Sequence, residues 1–277
     1  MSFYKLPFVR NIPKHALLIL LCAFSIFPLY WMLATAFKPL EEILSSDLFP
    51  RNPTLINFRS AAETIPIFRL TLNTIIIATT QVILQLTSGI LAAYALTRWD
   101  FKGRGILFVI FSLTWLVPFQ AIMIPNFVTL VSLNLRNTIL GVVLPFAASS
   151  FAILSLYTAF KAFPKALIEA AVMDKLSEMR ILLRIVLPNI KASIVSLGIL
   201  LFINGWNEFL WATLVNTSLD RAPIQIGLRR FLDIEATGGL DWGALMAAAA
   251  LSSLPIFILY LTLRKMIINS FVKWGIK

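Results

Sequence analysis

One carboxylate stands inside an apolar run of the sequence, Glu208 in the stretch Ser193–Val215. If this run is a helix, Asn204, Asn207 and Trp211 share a face with Glu208, because residues three and four apart lie on the same side. Amides and carboxylates can hydrogen-bond to sugar hydroxyls, and an indole can stack on the apolar face of a sugar. Polar groups in apolar surroundings also join helices to one another. The pattern predicts either a solute pathway or a polar contact between helices.

A second, weaker polar stripe lies in the apolar run near Thr71–Thr97 and consists of Asn73, Gln81 and Gln85. Amide side chains within an apolar helix gain most when they hydrogen-bond to a neighbouring helix. For this stripe, hydrogen bonding between helices is therefore the favoured interpretation.

An amphipathic segment between two apolar runs extends from Lys161 to Lys191, and its length of about 30 residues exceeds that of a simple connection. It predicts a helix over Lys165–Met173, a break at Asp174–Ser177 and a second helix over Glu178–Leu187, ended by Pro188. On the second helix, one face is predicted to be apolar and another basic: Met179, Leu182, Leu183 and Val186 against Arg180 and Arg184. Two short helices joined by a turn make either a docking element for another protein or an interfacial pair beneath lipid headgroups.

Catalytic residues are hard to find in this chain. A nucleotide-binding P-loop is missing, since Gly238 and Gly243 have its glycine spacing but Ala244 and Leu245 follow. His-Glu-x-x-His and Gly-x-Ser-x-Gly motifs are absent, and a single histidine with a single cysteine, Cys22, provides poorly for a metal site. The sequence predicts no enzyme, no metal site and no cofactor bound by the chain itself.

The elements that must position these residues follow from composition. Apolar residues make up 59% of the 277 residues and charged residues only 13%, so lipid must solvate much of the chain. A helix needs about 20 mostly apolar residues to cross the hydrocarbon core. Six stretches qualify as transmembrane helices: Leu17–Phe37, Thr71–Thr97, Ile106–Val131, Thr138–Phe160, Ser193–Val215 and Gly243–Leu263. The first is longer than the apolar part of a signal peptide and is predicted to be retained.

The charge distribution predicts the orientation of these spans. The net charge is +11, and 16 of the 24 Lys and Arg residues fall in segments that are cytoplasmic if both termini are cytoplasmic. Cytoplasmic loops carry an excess of Lys and Arg, so this orientation is predicted and the charge requires no nucleic acid. The predicted organisation is a cytoplasmic N-terminus at residues 1–16 and one transmembrane domain at 17–277, with a cytoplasmic loop at 161–191 and external loops at 38–70 and 216–242.

Within the cytoplasmic loop, Glu169-Ala170-Ala171, Asp174 and Leu187-Pro188 resemble the EAA loop of bacterial ABC importer permeases. Four further segments resemble the carbohydrate-uptake, maltose-type branch of that family: Ala92–Leu96, Ile124-Pro125, Gly205–Trp211 and Asp241–Ala248. The resemblance covers essentially Phe27 to the C-terminus. It implies an all-α membrane protein with six transmembrane helices and a cytoplasmic coupling-helix (EAA) loop between the fourth and fifth.

The resemblance also implies a mechanism. In such permeases the EAA loop sits in a cleft on a cytoplasmic ATPase subunit, and closure of two ATPases on ATP-Mg moves the transmembrane helices. By this resemblance Glu169 meets a basic group of the ATPase, and Ala170 and Ala171 permit close packing. The residues assigned to coupling are Glu169, Ala170, Ala171, Asp174, Lys175, Leu187 and Pro188, and those assigned to the solute pathway are Asn204, Asn207, Glu208 and Trp211.

The implied partners are a second homologous permease subunit, two ATPase subunits, an external solute-binding protein and the lipid of the bacterial inner membrane. Related permeases carry mono- or oligosaccharides, sugar alcohols or glycerol phosphate, and the nearly neutral outer segments disfavour a strongly anionic solute. The external segment 216–242 either contacts the binding protein or is an ordinary solvated loop. A secondary transporter, the alternative class, would require charge relays within the membrane or inverted repeats, and Glu208 alone supplies no relay.

One position departs from the family pattern. The glycine usual in the turn of the EAA loop is replaced by Lys175. A left-handed turn suits glycine, whereas a lysine there costs on the order of 1 kcal/mol. We expect either a reshaped turn or a strained lysine.

Overall fold

The computed structural model describes residues 7–235 and 241–275, and these residues form helices and turns but no strand. The first six residues of the predicted N-terminal segment and residues 236–240 of the predicted second external loop lie outside the described residues. The α-helices, in chain order, are α1 Pro7–Ala36, α2 Ile56–Thr64, α3 Ile67–Arg98, α4 Arg104–Leu116, α5 Phe119–Ser132, α6 Ile139–Val143, α7 Ser150–Lys161, α8 Lys165–Met173, α9 Glu178–Ile181, α10 Leu187–Asn189, α11 Lys191–Trp206, α12 Leu210–Val215, α13 Ile224–Glu235 and α14 Trp242–Gly275.

Three helices are long and apolar enough to cross a membrane as single rods: Lys14–Ala36, Ile67–Arg98 and Trp242–Arg264. Three bent helix pairs meet the same test, which gives up to six spans if each pair counts as one. The first, second and sixth predicted spans are therefore continuous helices. The all-helical membrane fold is as predicted, but the third, fourth and fifth spans differ from it in detail.

The third predicted span, Ile106–Val131, is not one helix. It consists of α4 and α5, which meet at an angle of 96°. Pro118 directly precedes α5 in an extended conformation with φ −64° and ψ 134°. Proline has no N–H to donate and disfavours helix in the residue before it, so the chain turns here.

The fourth and fifth predicted spans are also interrupted. Helices α6 and α7 are bent by 48°, and the Ser149 hydroxyl caps α7 by accepting a hydrogen bond from the backbone N–H of Ala152 at 3.3 Å. The fifth span was predicted over Ser193–Val215, but α11 ends at Trp206 and α12 begins only at Leu210. Helices α11 and α12 are both apolar, as expected of a membrane span. Composition alone, however, does not indicate the break between them.

The chain divides into two compact units. The first comprises Met1–Ile67 with Leu228–Leu254, and the second Phe68–Gly227 with Pro255–Lys277. In the first unit, Lys38 is fully buried, donates to the Asp47 carbonyl at 2.7 Å and places its ammonium 4.7 Å from the centre of the Trp31 ring. The Asn57 amide donates to the carbonyls of Ala36 and Lys38 at 2.9 and 2.7 Å. These bonds fold the segment after α1 back onto the end of that helix.

The second unit contains the candidate functional residues and two apolar clusters. One cluster joins α3, α7 and α11 to the EAA loop, through residues such as Tyr94, Leu156, Ile181 and Leu201. The other surrounds Trp211 and includes Ile77, Leu130 and Val142. The first cluster packs the EAA loop against the membrane helices, and the second packs around Trp211 of the short helix α12.

Candidate functional site

The EAA loop, Lys161 to Lys191, has the two helices and the break that the sequence predicts. Helix α8 covers Lys165–Met173, and the next helix starts at Glu178. At the end of α8 the N–H of Lys175 donates to the Val172 carbonyl at 2.9 Å, and that of Leu176 to the Ala171 carbonyl at 3.2 Å. This pair of bonds is a Schellman motif, which needs a left-handed residue just beyond the helix.

Lys175 is that left-handed residue, with φ 55°. Of the two expected alternatives, the structure therefore has the strained lysine and not the reshaped turn. The other non-glycine residues with positive φ in the described chain are Asn134 and Asn137, a residue type that tolerates this conformation better than lysine.

We expect Lys175→Gly to raise the stability of the protein by about 0.5–1 kcal/mol, because relief of left-handed strain outweighs the greater freedom of glycine in the unfolded chain. Uptake should be retained. Ala166→Gly, within α8, is the matched control and should lower stability by about 1 kcal/mol. Thermal unfolding and solute uptake measure both effects, and a large loss of uptake in Lys175→Gly would instead give the lysine a contact of its own.

The residues of the EAA motif face different surroundings. Glu169 and Ala170 are exposed on α8, whereas Ala171 is 3% exposed and packs in the apolar cluster of this chain. The prediction that Ala171 offers a close-packing surface to a partner is therefore wrong, because successive helical residues point about 100° apart and Ala171 faces inward. Asp174 ends α8 and is exposed, as is Pro188, while Leu187 packs against the same apolar cluster.

The second helix of the loop is not regular. A π-helical turn at Leu182–Val186 connects α9 to α10, so the helix continues through Pro188 to Asn189. The extra residue in this turn shifts the phase of the helix faces. Ile181, Leu182 and Val186 are buried, while Met179 and Leu183, predicted on the same apolar face, stay 56% and 54% exposed.

Consequently, an apolar surface remains uncovered on the EAA loop. Its exposed large apolar side chains are Leu167, Val172, Met173, Met179 and Leu183. Glu169 and Ala170 lie beside them on α8. We call these seven residues the loop surface. Several exposed large apolar side chains on one short loop indicate a surface that a partner or lipid covers.

A polar contact not foreseen from the sequence holds the loop to α3. The Arg98 guanidinium donates to both oxygens of Glu178, at 2.7 Å from Nη2 and 3.0 Å from Nε, and the Tyr94 hydroxyl donates to the same carboxylate at 2.8 Å. Eighty residues separate Arg98 from Glu178 along the chain. Their opposite charges were visible in the sequence, but no local pattern pairs residues so far apart.

A polar cavity of about 450 Å³ lies among the membrane helices of the second unit. Its polar lining consists of Gln81 and Gln85 from α3, Asn204 from α11, Ser149 and Glu208. Trp115 and Phe151 contribute aromatic walls, with ring centres 6.1 Å apart. Amides, a hydroxyl and a carboxylate beside aromatic faces can bind a polyhydroxylated solute.

Only part of the predicted solute pathway reaches this cavity. Asn204 and Glu208 line it. Asn207 does not, and its amide donates to the Ile203 carbonyl of its own helix at 3.0 Å. Trp211 is fully buried and its indole N–H donates to the Gly141 carbonyl at 3.0 Å, which is the polar contact between helices that the sequence offered as the alternative to a solute pathway.

The break in the fifth span explains why the predicted face separates. Between Trp206 and Leu210 the backbone leaves the helix, and the Glu208 carboxylate accepts a hydrogen bond from the Trp211 backbone N–H at 2.9 Å. A carboxylate at the start of α12 satisfies a backbone donor that the break leaves free. Glu208 therefore has a structural bond as well as a position in the cavity wall.

The stripe in α3 hydrogen-bonds to neighbouring segments, as predicted. Gln81 and Gln85 donate to the carbonyls of Val142 and Phe146 at 3.3 and 2.7 Å. Asn73 donates to the Ala222 carbonyl at 3.0 Å. The two glutamines also line the polar cavity, a second role that the sequence does not indicate. Within residues 7–235 and 241–275, no three His, Cys, Asp or Glu side chains are placed to hold a metal ion.

Bent membrane helices around a polar cavity, with an exposed two-helix loop, define the membrane component of a solute transporter. The sequence matches the family described as binding-protein-dependent transport system inner membrane component over residues 85–272, and the chain belongs to this family. It is a permease component of an ABC transporter, and not an enzyme.

Similar proteins cover nearly the whole chain. The diacetylchitobiose uptake system permease protein DasC of Streptomyces coelicolor is 29% identical over 256 residues, which are 91% of this chain and 92% of DasC. The arabinooligosaccharides transport system permease protein AraQ of Bacillus subtilis is 29% identical over 257 residues, 91% of this chain and 90% of AraQ. The sn-glycerol-3-phosphate transport system permease protein UgpE of Escherichia coli is 27% identical over 267 residues, 94% of this chain and 95% of UgpE.

A solved structure supports the same fold. A chain in the crystal structure of a bacterial ABC transporter involved in the import of the acidic polysaccharide alginate superimposes with a TM-score of 0.83. The match covers 96% of this chain and 99% of that chain at 21% identity. At this identity the likeness concerns the fold.

Proposed function

We propose that this chain is the permease subunit that carries a carbohydrate or related polyol inward across the bacterial cytoplasmic membrane, driven by separate ATPase subunits that bind ATP-Mg. The polar cavity is the observation that carries the proposal. In an apolar chain, an exposed amide at Asn204 and a carboxylate at Glu208 beside aromatic walls suit a hydroxyl-rich guest. Relatives that cover nearly the whole chain are named as permeases for diacetylchitobiose and for arabinooligosaccharides.

The lining of the cavity favours a neutral solute over glycerol phosphate, which the name of UgpE assigns to that relative. None of the described residues that line the cavity is basic, and one, Glu208, is acidic. A phosphate group would gain no charge-assisted hydrogen bond from an arginine or lysine there and would face a carboxylate. We therefore propose neutral sugars and polyols as the solutes, in preference to glycerol phosphate.

The loop surface supports docking to an ATPase subunit. It combines exposed methionines and other apolar side chains, which are enriched in protein interfaces, with one acid that can fix the register. The alternative is an interfacial helix beneath lipid headgroups, which would favour Lys and Arg beside the apolar face. The loop exposes Lys165, Arg180 and Arg184 as well as Glu169, so retention of an ATPase during purification decides between the two.

The full assembly in this proposal contains a second homologous permease subunit, two ATPases and an external solute-binding protein, with both termini of this chain in the cytoplasm. Co-expression of the chain with its candidate partners, followed by purification through a tag on this chain, tests the assembly. Retention of an ATPase and ATP-dependent uptake of a neutral saccharide in proteoliposomes are the expected results. Uptake that persists without any ATPase, driven by an ion gradient, would refute the proposal in favour of a secondary transporter.

The part of Asn204 in the pathway can be tested against a close neighbour. We expect Asn204→Leu to lower uptake at limiting solute by about tenfold, because a lost hydrogen bond to the solute costs about 1–1.5 kcal/mol. Asn207→Leu is the matched control, since Asn207 is also exposed but lies outside the cavity. Equal loss in both variants would assign the amides to helix packing.

A further inference from the structure

We infer that Arg98, Tyr94 and Glu178 are positioning residues that couple the EAA loop to α3, so that movement of the loop reaches the wall of the polar cavity. We call these three residues the clamp. The inference rests on the proposed function and adds to it a second mechanical connection, besides the continuous chain, between the docking loop and the cavity.

The geometry of the clamp is that of a specific contact and not of an incidental surface pair. One carboxylate, that of Glu178, accepts three hydrogen bonds of 2.7, 2.8 and 3.0 Å from two residues. The Arg98 fork donates to both oxygens, an arrangement that fixes orientation as well as distance. The side chains of Arg98 and Glu178 are 25% and 38% exposed, so water competes only in part for these bonds.

Apolar packing beneath the clamp keeps the two elements in register. The Tyr94 ring is 5% exposed and meets the Phe160 ring edge-on at a centre distance of 5.8 Å. Ile181, one turn beyond Glu178, belongs to the same apolar cluster as Tyr94 and is fully buried. The clamp therefore lies where the end of α3 and the start of α9 already share a core, and it adds directional bonds to that contact.

The clamp also stands close to the docking helix. Tyr94 and Arg98 share a cavity of about 380 Å³ with Lys165 and Glu169 of α8. Glu178 follows α8 after only the Asp174–Ser177 break, whose left-handed Lys175 is held by the Schellman bonds. A displacement of α8 thus reaches Glu178 through a short connection of fixed conformation.

A single continuous helix, α3, connects the clamp to the polar cavity. Helix α3 runs without interruption over 32 residues, about 48 Å at 1.5 Å per residue. It presents Gln81 and Gln85 to the polar cavity, while the EAA loop continues directly into α11, which presents Asn204. With the clamp closed, a movement of the loop acts on both the α3 and the α11 walls. Without it, apolar packing alone joins α3 to the second helix of the loop, while α11 stays connected to that helix by the chain.

The test uses the complete transporter, with its ATPases and binding protein, in proteoliposomes, and measures ATP hydrolysed per solute imported. We expect Glu178→Gln to raise this ratio about tenfold, because removal of the charge weakens the bidentate pair while leaving the carbonyl in place. Tyr94→Phe keeps the buried ring and should raise the ratio about threefold, as one neutral-donor bond is lost. Arg104→Gln is the control, since Arg104 forms an exposed ion pair with the nearby Asp100 at 3.1 Å and donates to the Trp99 carbonyl at 3.4 Å; it should leave the ratio unchanged.

The charge-swapped double variant Arg98→Glu with Glu178→Arg separates coupling from stability. Each single reversal should abolish coupling, and the double variant should recover a substantial part of it, since opposite charges again face each other. A ratio that stays at the wild-type value in Glu178→Gln and Tyr94→Phe, or uptake and hydrolysis that fall in proportion, would overturn the clamp. Because wild-type uptake is measured in the same vesicles, such a result leaves the proposed function intact, whereas absence of wild-type ATP-dependent uptake would count against the proposed function itself.

Discussion

Glu169→Lys is expected to reduce ATP-dependent uptake by about 30-fold or more while the membrane fold stays intact. Glu169 is an exposed acid on α8 and belongs to the loop surface, and we propose that it meets a basic group of the ATPase. Loss of one partner from a hydrogen-bonded charge pair in an interface costs at least about 2 kcal/mol, and reversal adds repulsion between like charges. Solute uptake in proteoliposomes, ATPase activity and retention of the ATPase during purification together measure the effect.

The folded state of Glu169→Lys should be unchanged, because Glu169 has no hydrogen bond or ion pair with any residue that the structure describes. Thermal unfolding of the purified permease checks that point. Asp100→Lys makes the same change of charge at a side chain that is 98% exposed in the turn between α3 and α4, and it should retain most of the uptake. Wild-type uptake in Glu169→Lys would remove Glu169 from the docking surface, and equal losses in both variants would point to a general effect of charge.

Gly141→Ala is expected to cost about 3 kcal/mol or more of stability and to lower Tm by about 10 °C. A Cβ at Gly141 would lie 2.2 Å from the Leu135 backbone carbonyl oxygen, too close for any rotamer change to relieve. That carbonyl also accepts a hydrogen bond from the Thr138 hydroxyl at 2.7 Å, and the Gly141 carbonyl holds the Trp211 indole. The strain would therefore spread to α6 and to the anchor of α12.

Gly105→Ala provides the comparison for this substitution. No heavy atom lies within 4 Å of a Cβ built at Gly105, which is in the first turn of α4, so stability should stay the same or rise slightly. Both variants can be followed by heating and size-exclusion chromatography of the purified protein. If Gly141→Ala unfolds at the temperature of Gly105→Ala, the close approach at Leu135 is not a constraint on the fold.

Prediction from the sequence succeeded where a local pattern specifies the structure. Apolar runs long enough to cross a bilayer indicated the membrane helices, and proline, helix formers and polar residues indicated α8, the break and the start of α9. Lys175 in place of glycine indicated strain in the turn, and the structure places the strain there. Each of these depends on residues within a few positions of one another, for which propensity and steric rules hold without knowledge of the rest of the fold.

Tertiary structure decided which side chains are available for function. Ala171 and Trp211 have small or aromatic side chains suited to contacts with partner or solute, yet both are buried within this chain because of how α8 and α12 pack. Asn207 lies outside the cavity, because the cavity is lined by the face of α11 that carries Leu201, Asn204 and Gly205, to which Asn207 does not belong. The second loop helix packs inward through Ile181, Leu182 and Val186, so that Met179 and Leu183 stay exposed.

The amino-acid sequence by itself determined that this chain is a helical membrane protein with a two-helix loop, because hydrophobic length and helix boundaries are properties of adjacent residues. Only the tertiary structure brought Arg98 to Glu178 across eighty positions and formed a polar cavity between α3 and α11. The physical reason is that long-range pairing depends on the direction and phase in which bent helices meet. A change of one residue in a turn rotates everything beyond it, and the periodicity of a single segment does not contain that information.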